Sequence, residues 1–454
     1  MTREAFTLLG TAFHTPERGR LEVLKDHLFS IDAQGRIAEI LAPGHPEYAA
    51  RKSDARQAGS LVELGEGQFL LPGLIDLHIH APQWPQMGKA LDVPLEVWLQ
   101  KYTFPLEARY ADTGYAREVY ADLVDNLLAN GTTTALYFAT VHVEASLALA
   151  EICLEKGQRA LVGKVAMDDP EQCPSFYRDA DAASAISDTR RFIEAVRSLD
   201  TGERPLVRPV ITPRFIPSCT DAALQGLGEL ATEFSCHVQT HCSESDWARQ
   251  FVETRFGCTD AASLDGFGLL TRHTILAHSN FIDGRDMDLI KGKGAGVAHC
   301  PLSNFYFANA VFPLRDALDR HMHVGLGTDI SGGYSPSLFD GCRHALSASR
   351  TLQSGVHAGL DAAQRGAPGA PITHQEAFWL ATAGGAEALD LPTGSFRVGH
   401  EFDALLIDTT AKASNIHVSM ADDTLDDVFQ KIVLNAARGN IATVWVSGRT
   451  VAGQ

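Results

Sequence analysis

Leu71-Pro72-Gly73-Leu74-Ile75-Asp76-Leu77-His78-Ile79-His80 is an apolar run that ends in two histidines. Its length and composition predict a buried strand over Leu71–Leu77. Side chains alternate across a strand, so histidines spaced i, i+2 point to the same side. Two imidazoles side by side at a strand end make half of a zinc site. The rest of the chain is read for the other half.

Downstream, seven further strand-like runs are spaced along the chain: Thr132–Phe138, Ala160–Ala166, Val207–Thr212, Cys236–Thr240, Thr274–Ala277, Gly296–Ala298 and Val324–Gly327. Helical patterns separate most of them, among them Ala116–Leu128, Ala145–Glu155, Thr189–Ser198 and Asp221–Phe234. Alternating strands and helices imply a parallel sheet. Eight such repeats predict a (β/α)8 TIM barrel of the α/β class, with its active site at the C-terminal strand ends. Before the barrel, short alternating runs such as Ala5–Leu9, Leu28–Ile31 and Phe69–Leu71 are broken by Gly, Pro and Asp. Similar runs follow it at Phe402–Asp408 and Val444–Arg449. Residues 1–70 and 386–454 are therefore expected to build one small β-sandwich around a barrel of residues 71–385.

Composition bounds the partners. The chain has 454 residues, 45% hydrophobic, which supplies a core large enough for a barrel and an appended domain. A net charge of -18 argues against nucleic acid and against anionic membrane surfaces. No stretch approaches twenty uninterrupted apolar residues, and Met1–Arg20 lacks the apolar centre of a signal peptide. The eight cysteines form no CxxC pair, and Cys236 and Cys300 lie in strand-like runs. They read as reduced, buried thiols of a cytoplasmic protein.

Residues at the strand ends carry the chemistry. The first strand ends in His78 and His80, the fifth in His241 with Glu244 beyond it, the sixth in His278 and the eighth in Asp329. Each has a bland reading alone. A lone histidine after a strand is most often a hydrogen-bonded structural residue, and an Asp there most often caps a helix or turn. Converging at one barrel mouth, four histidines and an Asp form a metal site instead. Imidazoles and a carboxylate suit zinc better than magnesium or calcium. His78, His80, His241 and Asp329 are the expected ligands. Such a metal lowers the pKa of a held water toward ~7. Glu244 is in place to shuttle protons, against the bland reading of a first-turn helix carboxylate. His278 polarises the attacked group or orients water, or else is a fifth structural ligand. The fourth strand ends Val210-Ile211-Thr212-Pro213 without a lysine to bridge two metals, and Lys164 lies inside the third strand. One metal ion per chain is expected.

These residues resemble the amidohydrolase superfamily in its mononuclear deaminase branch. The likeness rests on residues 72–80, His241-Cys242-Ser243-Glu244, Ala277-His278, His299-Cys300-Pro301-Leu302-Ser303-Asn304 and Gly327-Thr328-Asp329. Longer stretches narrow it. His80-Ala81-Pro82-Gln83, Trp98–Pro105, Gly131–Ala135, Thr212-Pro213-Arg214-Phe215 and Asp329–Ser335 are similar to the guanine deaminase family. The resemblance implies hydrolysis of guanine to xanthine and ammonia, zinc on the four ligands above, and a homodimer. It implies that Gln83, Arg214 and Phe215 contact the purine while Glu244 moves protons. Pro82 and Leu302 depart from the family, where polar residues are common, and reshape the pocket rim.

Chemistry alone agrees with these contacts. Gln83 can both donate and accept, Arg214 offers a planar donor fork, and Phe215 or Trp98 can stack on a ring face. The bland alternatives are a surface ion pair for Arg214 and a core position for Phe215. The segment 84–105 has the length of a lid over the site, or of a packing arm for a partner subunit. Two other functions compete. One is the same chemistry on an oxidised guanine, a pterin or a triazine, which a substrate panel separates. The other is a non-catalytic assembly relative, which would purify without stoichiometric zinc.

Overall fold

Gly73 divides the opening apolar run. In the computed structural model, which describes residues 4–308, 310–419 and 421–453, Gln68–Pro72 is a strand of the terminal sheet and Leu74–His80 is the first barrel strand. The single strand expected over Leu71–Leu77 is thus two strands in two sheets. The Gly73 N–H turns to the Asp403 carbonyl (2.9 Å) while the Leu74 N–H bonds Gly131 (3.0 Å). A Cβ at Gly73 would lie 2.1 Å from Thr133 Oγ1, so the backbone passes where only glycine fits.

The barrel strands are β1 (Leu74–His80), β2 (Thr132–Phe138), β3 (Arg159–Gly163), β4 (Val207–Pro213), β5 (His237–Cys242), β6 (Thr274–His278), β7 (Gly296–His299) and β8 (His323–Leu326). They pair in parallel and in chain order. Just beyond β8, Ile330 bridges Ile79 of β1. The His80 N–H bonds the Ile330 carbonyl at 2.7 Å, and the Asp329 N–H bonds the His78 carbonyl at 2.8 Å. The chain is therefore a (β/α)8 barrel, nearly closed, and its seam lies among the candidate ligands.

Inside it, Ile75, Leu77, Leu136, Leu161, Val210 and Ile275 fill the core above a floor that includes Leu389 and Leu391. Outer helices follow the apolar periodicity. Asp221–Phe234, for example, starts where the Thr220 side chain caps the Ala223 N–H and ends at Ser235 in the left-handed region.

Strands from both ends of the chain form a separate eight-stranded sheet. It joins Phe6–Glu17, Arg20–Ile31, Ile37–Leu41, Leu61–Glu63 and Gln68–Pro72 to Ala404–Asp408, Ile441–Val446 and Arg449–Gly453. Buried Arg159 at the start of β3 anchors it, reaching Asp403 through Nε (3.1 Å) and Nη2 (3.2 Å) and Ser447 through Nη2 (2.8 Å). All eight cysteines are free, and all but half-buried Cys258 are buried. Among the described residues, no helix is long and apolar enough to cross a membrane.

Candidate active site

The mouth of the barrel gathers the residues singled out in the sequence. His78 and His80 end β1, and their rings lie 4.9 Å apart between centroids. His241 comes from β5, stacked against His80 at 5.0 Å. His278 ends β6 and stacks on His241 at 5.5 Å. Asp329 follows β8, with Oδ1 3.2 Å from His78 Nε2 and 3.6 Å from His80 Nε2. Its Oδ2 lies 3.8 Å from His278 Nε2. Ser243, His278, Ser279 and Asp329 have φ of 44°, 67°, 54° and 51°. Left-handed backbone at four non-glycine residues is costly, and it is concentrated where β5, β6 and β8 deliver the site residues.

Hydrogen bonds to the far ring atoms fix the tautomers. His241 Nδ1–H donates to the Arg214 carbonyl at 2.6 Å, which leaves Nε2 a lone pair aimed inward. That lone pair meets His80 Nε2 at 3.0 Å. His278 Nδ1–H donates to Asn304 Oδ1 at 2.9 Å, so its Nε2 is likewise an acceptor. Asn304 is itself oriented, donating to Asn280 Oδ1 at 2.8 Å. Burial pushes the pKa values of His78, His80 and His241 well below the usual histidine range, and neighbouring imidazoles add to it. Neutral imidazole is the form that binds a metal.

A divalent cation fits this donor set. His78 Nε2 and His278 Nε2 are buried yet hydrogen-bonded to nothing in the structure. Orphaned buried nitrogens facing a carboxylate are expensive unless a cation fills the space among them. Two groups, His78–His80–Asp329 and His78–His241–His278, each present ligand atoms within 4.8 Å of one another. Lys164 stays away from them, in a buried ion pair with Asp179.

Next to this centre opens a cleft lined by His80, Gln83, Arg214, Phe215, Glu244 and Asp329 and roofed by Leu95, Trp98 and Leu99. Glu244 Oε1 lies 3.7 Å from His278 Nε2. Burial, and then the Asp329 charge, push the Glu244 carboxyl up to about 8, with Arg214 pulling it back. Such a carboxyl can carry a proton near neutral pH. Phe215 sits 6.2 Å from His241 between ring centroids and borders the cleft. The second half of the roof segment is helical, with helices Leu95–Trp98 and Phe104–Ala108 around a π-helical turn. Trp98 packs on Phe307 at 5.2 Å.

Three residues beyond those given a role in the sequence bear on the site. Asp76 faces the same side of β1 as His78; its carboxylate accepts from the His78 N–H (3.1 Å), the Thr328 N–H (3.0 Å) and Thr328 Oγ1 (2.5 Å). It ties β1 to the segment carrying Asp329. A carboxylate within an apolar strand was its signal. Glu107 takes a fork from Arg214, at 2.6 Å to Oε2 and 3.1 Å to Oε1, and a third bond from Gln83 Nε2 at 2.9 Å. Arg214 is therefore a buried ion-pair partner rather than a surface one. Asn304 was read only as part of a motif, without its hold on His278.

Residues 69–451 match the model of the amidohydrolase family, and the chain belongs to that family. Nearer likenesses include several guanine deaminases. A probable guanine deaminase of Schizosaccharomyces pombe is 39% identical over 98% of this chain and 83% of its own length. The guanine deaminase of Mus musculus is 36% identical over 98% and 96%. Among solved structures, a guanine deaminase from C. acetobutylicum with guanine bound in its active site superposes with a TM-score of 0.86. It shares 28% identity over 98% of this chain and 99% of that one.

Proposed function

We propose that this protein hydrolyses guanine to xanthine and ammonia, using one zinc ion per chain held by His78, His80, His241 and Asp329. One observation carries the reading: a single cleft joins an inward-facing His/Asp centre to a Gln83–Arg214 edge able to read a purine. The guanine deaminases it resembles over nearly their whole length support it.

Zinc bound there supplies the Lewis acidity that makes water nucleophilic near neutral pH. Everything else falls to the chain's own side chains. Gln83 and Arg214 hold the purine edge, and Phe215 and Trp98 cover its faces. Water attacks carbon 2, which bears the amino group. Asp329 Oδ2 and His278 Nε2 are the acceptors that face that water. Glu244 gives its proton to the adjacent ring nitrogen, takes up the proton lost by the added hydroxyl and passes it to the departing amine. The proton that Asp329 takes from the water returns to Glu244. Ammonia leaves and the lactam remains. The roof over residues 84–105 keeps bulk water out.

The same reading takes the protein to be a cytoplasmic homodimer. Reduced, buried cysteines and the family likeness support it. It divides the chain into a barrel and a terminal β domain with boundaries near residues 71 and 385, the strand Gln68–Pro72 going to the terminal sheet and Leu389 and Leu391 to the barrel floor. The test is to mix purified protein with guanine and follow purine absorbance and ammonia release, before and after chelation and zinc add-back. Zinc-restorable conversion to xanthine is expected. Zinc-loaded protein that leaves guanine intact would overturn the substrate and direct attention to oxidised guanine and pterins.

A further inference from the structure

We propose that Glu107 sets the charge of the purine-reading end of the cleft, so that a neutral purine is held and the ionised product is rejected. The proposal rests on the guanine-to-xanthine reading above. Glu107 comes from the helix Phe104–Ala108, at the inner end of the roof, and is fully buried. One carboxylate does two things there. It accepts from both terminal nitrogens of Arg214 and it accepts from Gln83 Nε2. The other end of the Gln83 amide, Oε1, faces the Ser331 N–H at 3.4 Å, and Ser331 Oγ donates to the Gln83 carbonyl at 2.6 Å. The amide is thereby fixed, with one N–H and one oxygen lone pair left for a ligand. Arg214 keeps donors for the ligand too, but its charge is balanced.

That balance matters because of what the reaction does to its substrate. The C–N bond at carbon 2 breaks, a C–O bond forms, and ammonia departs. The product has two lactam carbonyls and loses a ring proton at lower pH than guanine. Near and above neutrality it becomes an anion while the substrate is still neutral. An unpaired buried guanidinium would bind that anion tightly and hold the product in place. A guanidinium already paired to a carboxylate binds a neutral edge by hydrogen bonds and repels a negative ring through Glu107.

The neighbours leave this pair as the fixed charges at that end. Tyr110, Tyr120 and Tyr177 pack around Glu107, and burial keeps their phenols protonated. Burial also pushes the Cys173 thiol beside Arg214 up to about 12 and lowers His142. His80 and His241 are held neutral by burial. Glu244, across the cleft, is the group that titrates within it, and it is present alike in the wild type and in the Glu107 variants.

The experiment is calorimetric binding of xanthine to the zinc-loaded protein between about pH 6.5 and about pH 8. Hypoxanthine, which stays mostly neutral over that range, corrects for pH effects that do not depend on ligand charge, and because Glu107→Gln keeps Glu244, the difference between the two proteins isolates Glu107. In the wild type, xanthine affinity relative to hypoxanthine is expected to fall roughly fivefold as the neutral fraction shrinks. In Glu107→Gln the fall should become clearly shallower, and in Glu107→Asp it should persist. A ratio independent of pH in the wild type, or an equal fall in Glu107→Gln, overturns the proposal. The wild-type arm needs no variant, so it can refute the idea even where Glu107→Gln does not fold. Ammonia release from guanine is measured in parallel. Its absence overturns the underlying activity, whereas normal release with a flat xanthine ratio overturns the role of Glu107 alone.

Discussion

Glu244 and His80 sit 7% and 4% exposed at the same mouth, yet they should fail in different ways when replaced. Glu244→Gln keeps size and polarity and removes the transferable proton. Turnover of guanine should fall by about 10²–10⁴, the usual contribution of a general acid–base, while metal content measured by emission spectroscopy stays at the wild-type level. Turnover at the wild-type rate would exclude Glu244 as the proton carrier. His80→Ala removes one of two imidazoles that meet at 3.0 Å, so metal content and activity should be lost together. Full metal occupancy in that variant would take His80 out of the ligand set. These side chains were legible because strand alternation and strand ends fix where they point. Glu107 was not. A single carboxylate on a short helix has no periodic signature, and its partners Gln83 and Arg214 come from 24 and 107 residues away in the chain. What could have found it is the demand of Arg214 itself, because a buried guanidinium requires a carboxylate.

At the scale of an element, β1 shows how a correct hydrophobic pattern can hide a boundary. Residues 71–77 are apolar on both sides of Gly73 because both resulting strands are buried, one in the terminal sheet and one in the barrel. Periodicity carries no mark of the change of sheet; only the glycine does. The geometry there gives a direct test. In Gly73→Ala the new methyl would meet Thr133 Oγ1 at 2.1 Å and Cγ2 at 2.5 Å, and Thr133 is buried with its hydroxyl on the Leu74 carbonyl at 3.2 Å. Overpacking of this kind costs about 1–3 kcal/mol, to be read as a lowered denaturation midpoint. Adding Thr133→Ala should recover part of the loss, since it removes the colliding atoms. If the double variant is no more stable than the sum of the two single ones, the crowding is not the cause. The helices were easier to read: Asp221–Phe234 has the bounds its pattern predicts. The roof was seen as a segment of the right length, but its π-helical turn at Leu99–Thr103 has no simple pattern in sequence.

Across the whole molecule, the barrel was legible from eight strand–helix repeats, whereas its closure was not. The seam depends on Ile330 pairing with Ile79, a contact between the two ends of the barrel that no local pattern encodes. The floor is similar: His237 begins β5 and its Nε2–H donates to the Leu389 carbonyl at 3.0 Å, joining the barrel to the segment that plugs it. Burial pushes the His237 pKa down to about 4; the Leu389 carbonyl pulls it back up, and His273, Arg208 and Arg272 lower it further. In the unfolded chain the same imidazole titrates near the ordinary value of about 6.5. Below that pH the unfolded state takes up a proton that the folded state refuses, so stability falls as the solution is acidified. The contribution is fully present above about pH 6.5, is lost progressively toward about pH 4, and is constant below that. Its size is about 3 kcal/mol, from 1.36 kcal/mol for each pH unit of the shift. His237→Gln retains a donor for Leu389 and removes the titration. Its unfolding free energy, measured in urea from pH 7 downward, should therefore fall less steeply than that of the wild type across this window. Protonation of the metal ligands contributes equally to both proteins and cancels in the difference. Parallel curves for the two proteins would show that His237 binds its proton equally in both states, and the acid sensitivity of the floor would have to come from another group.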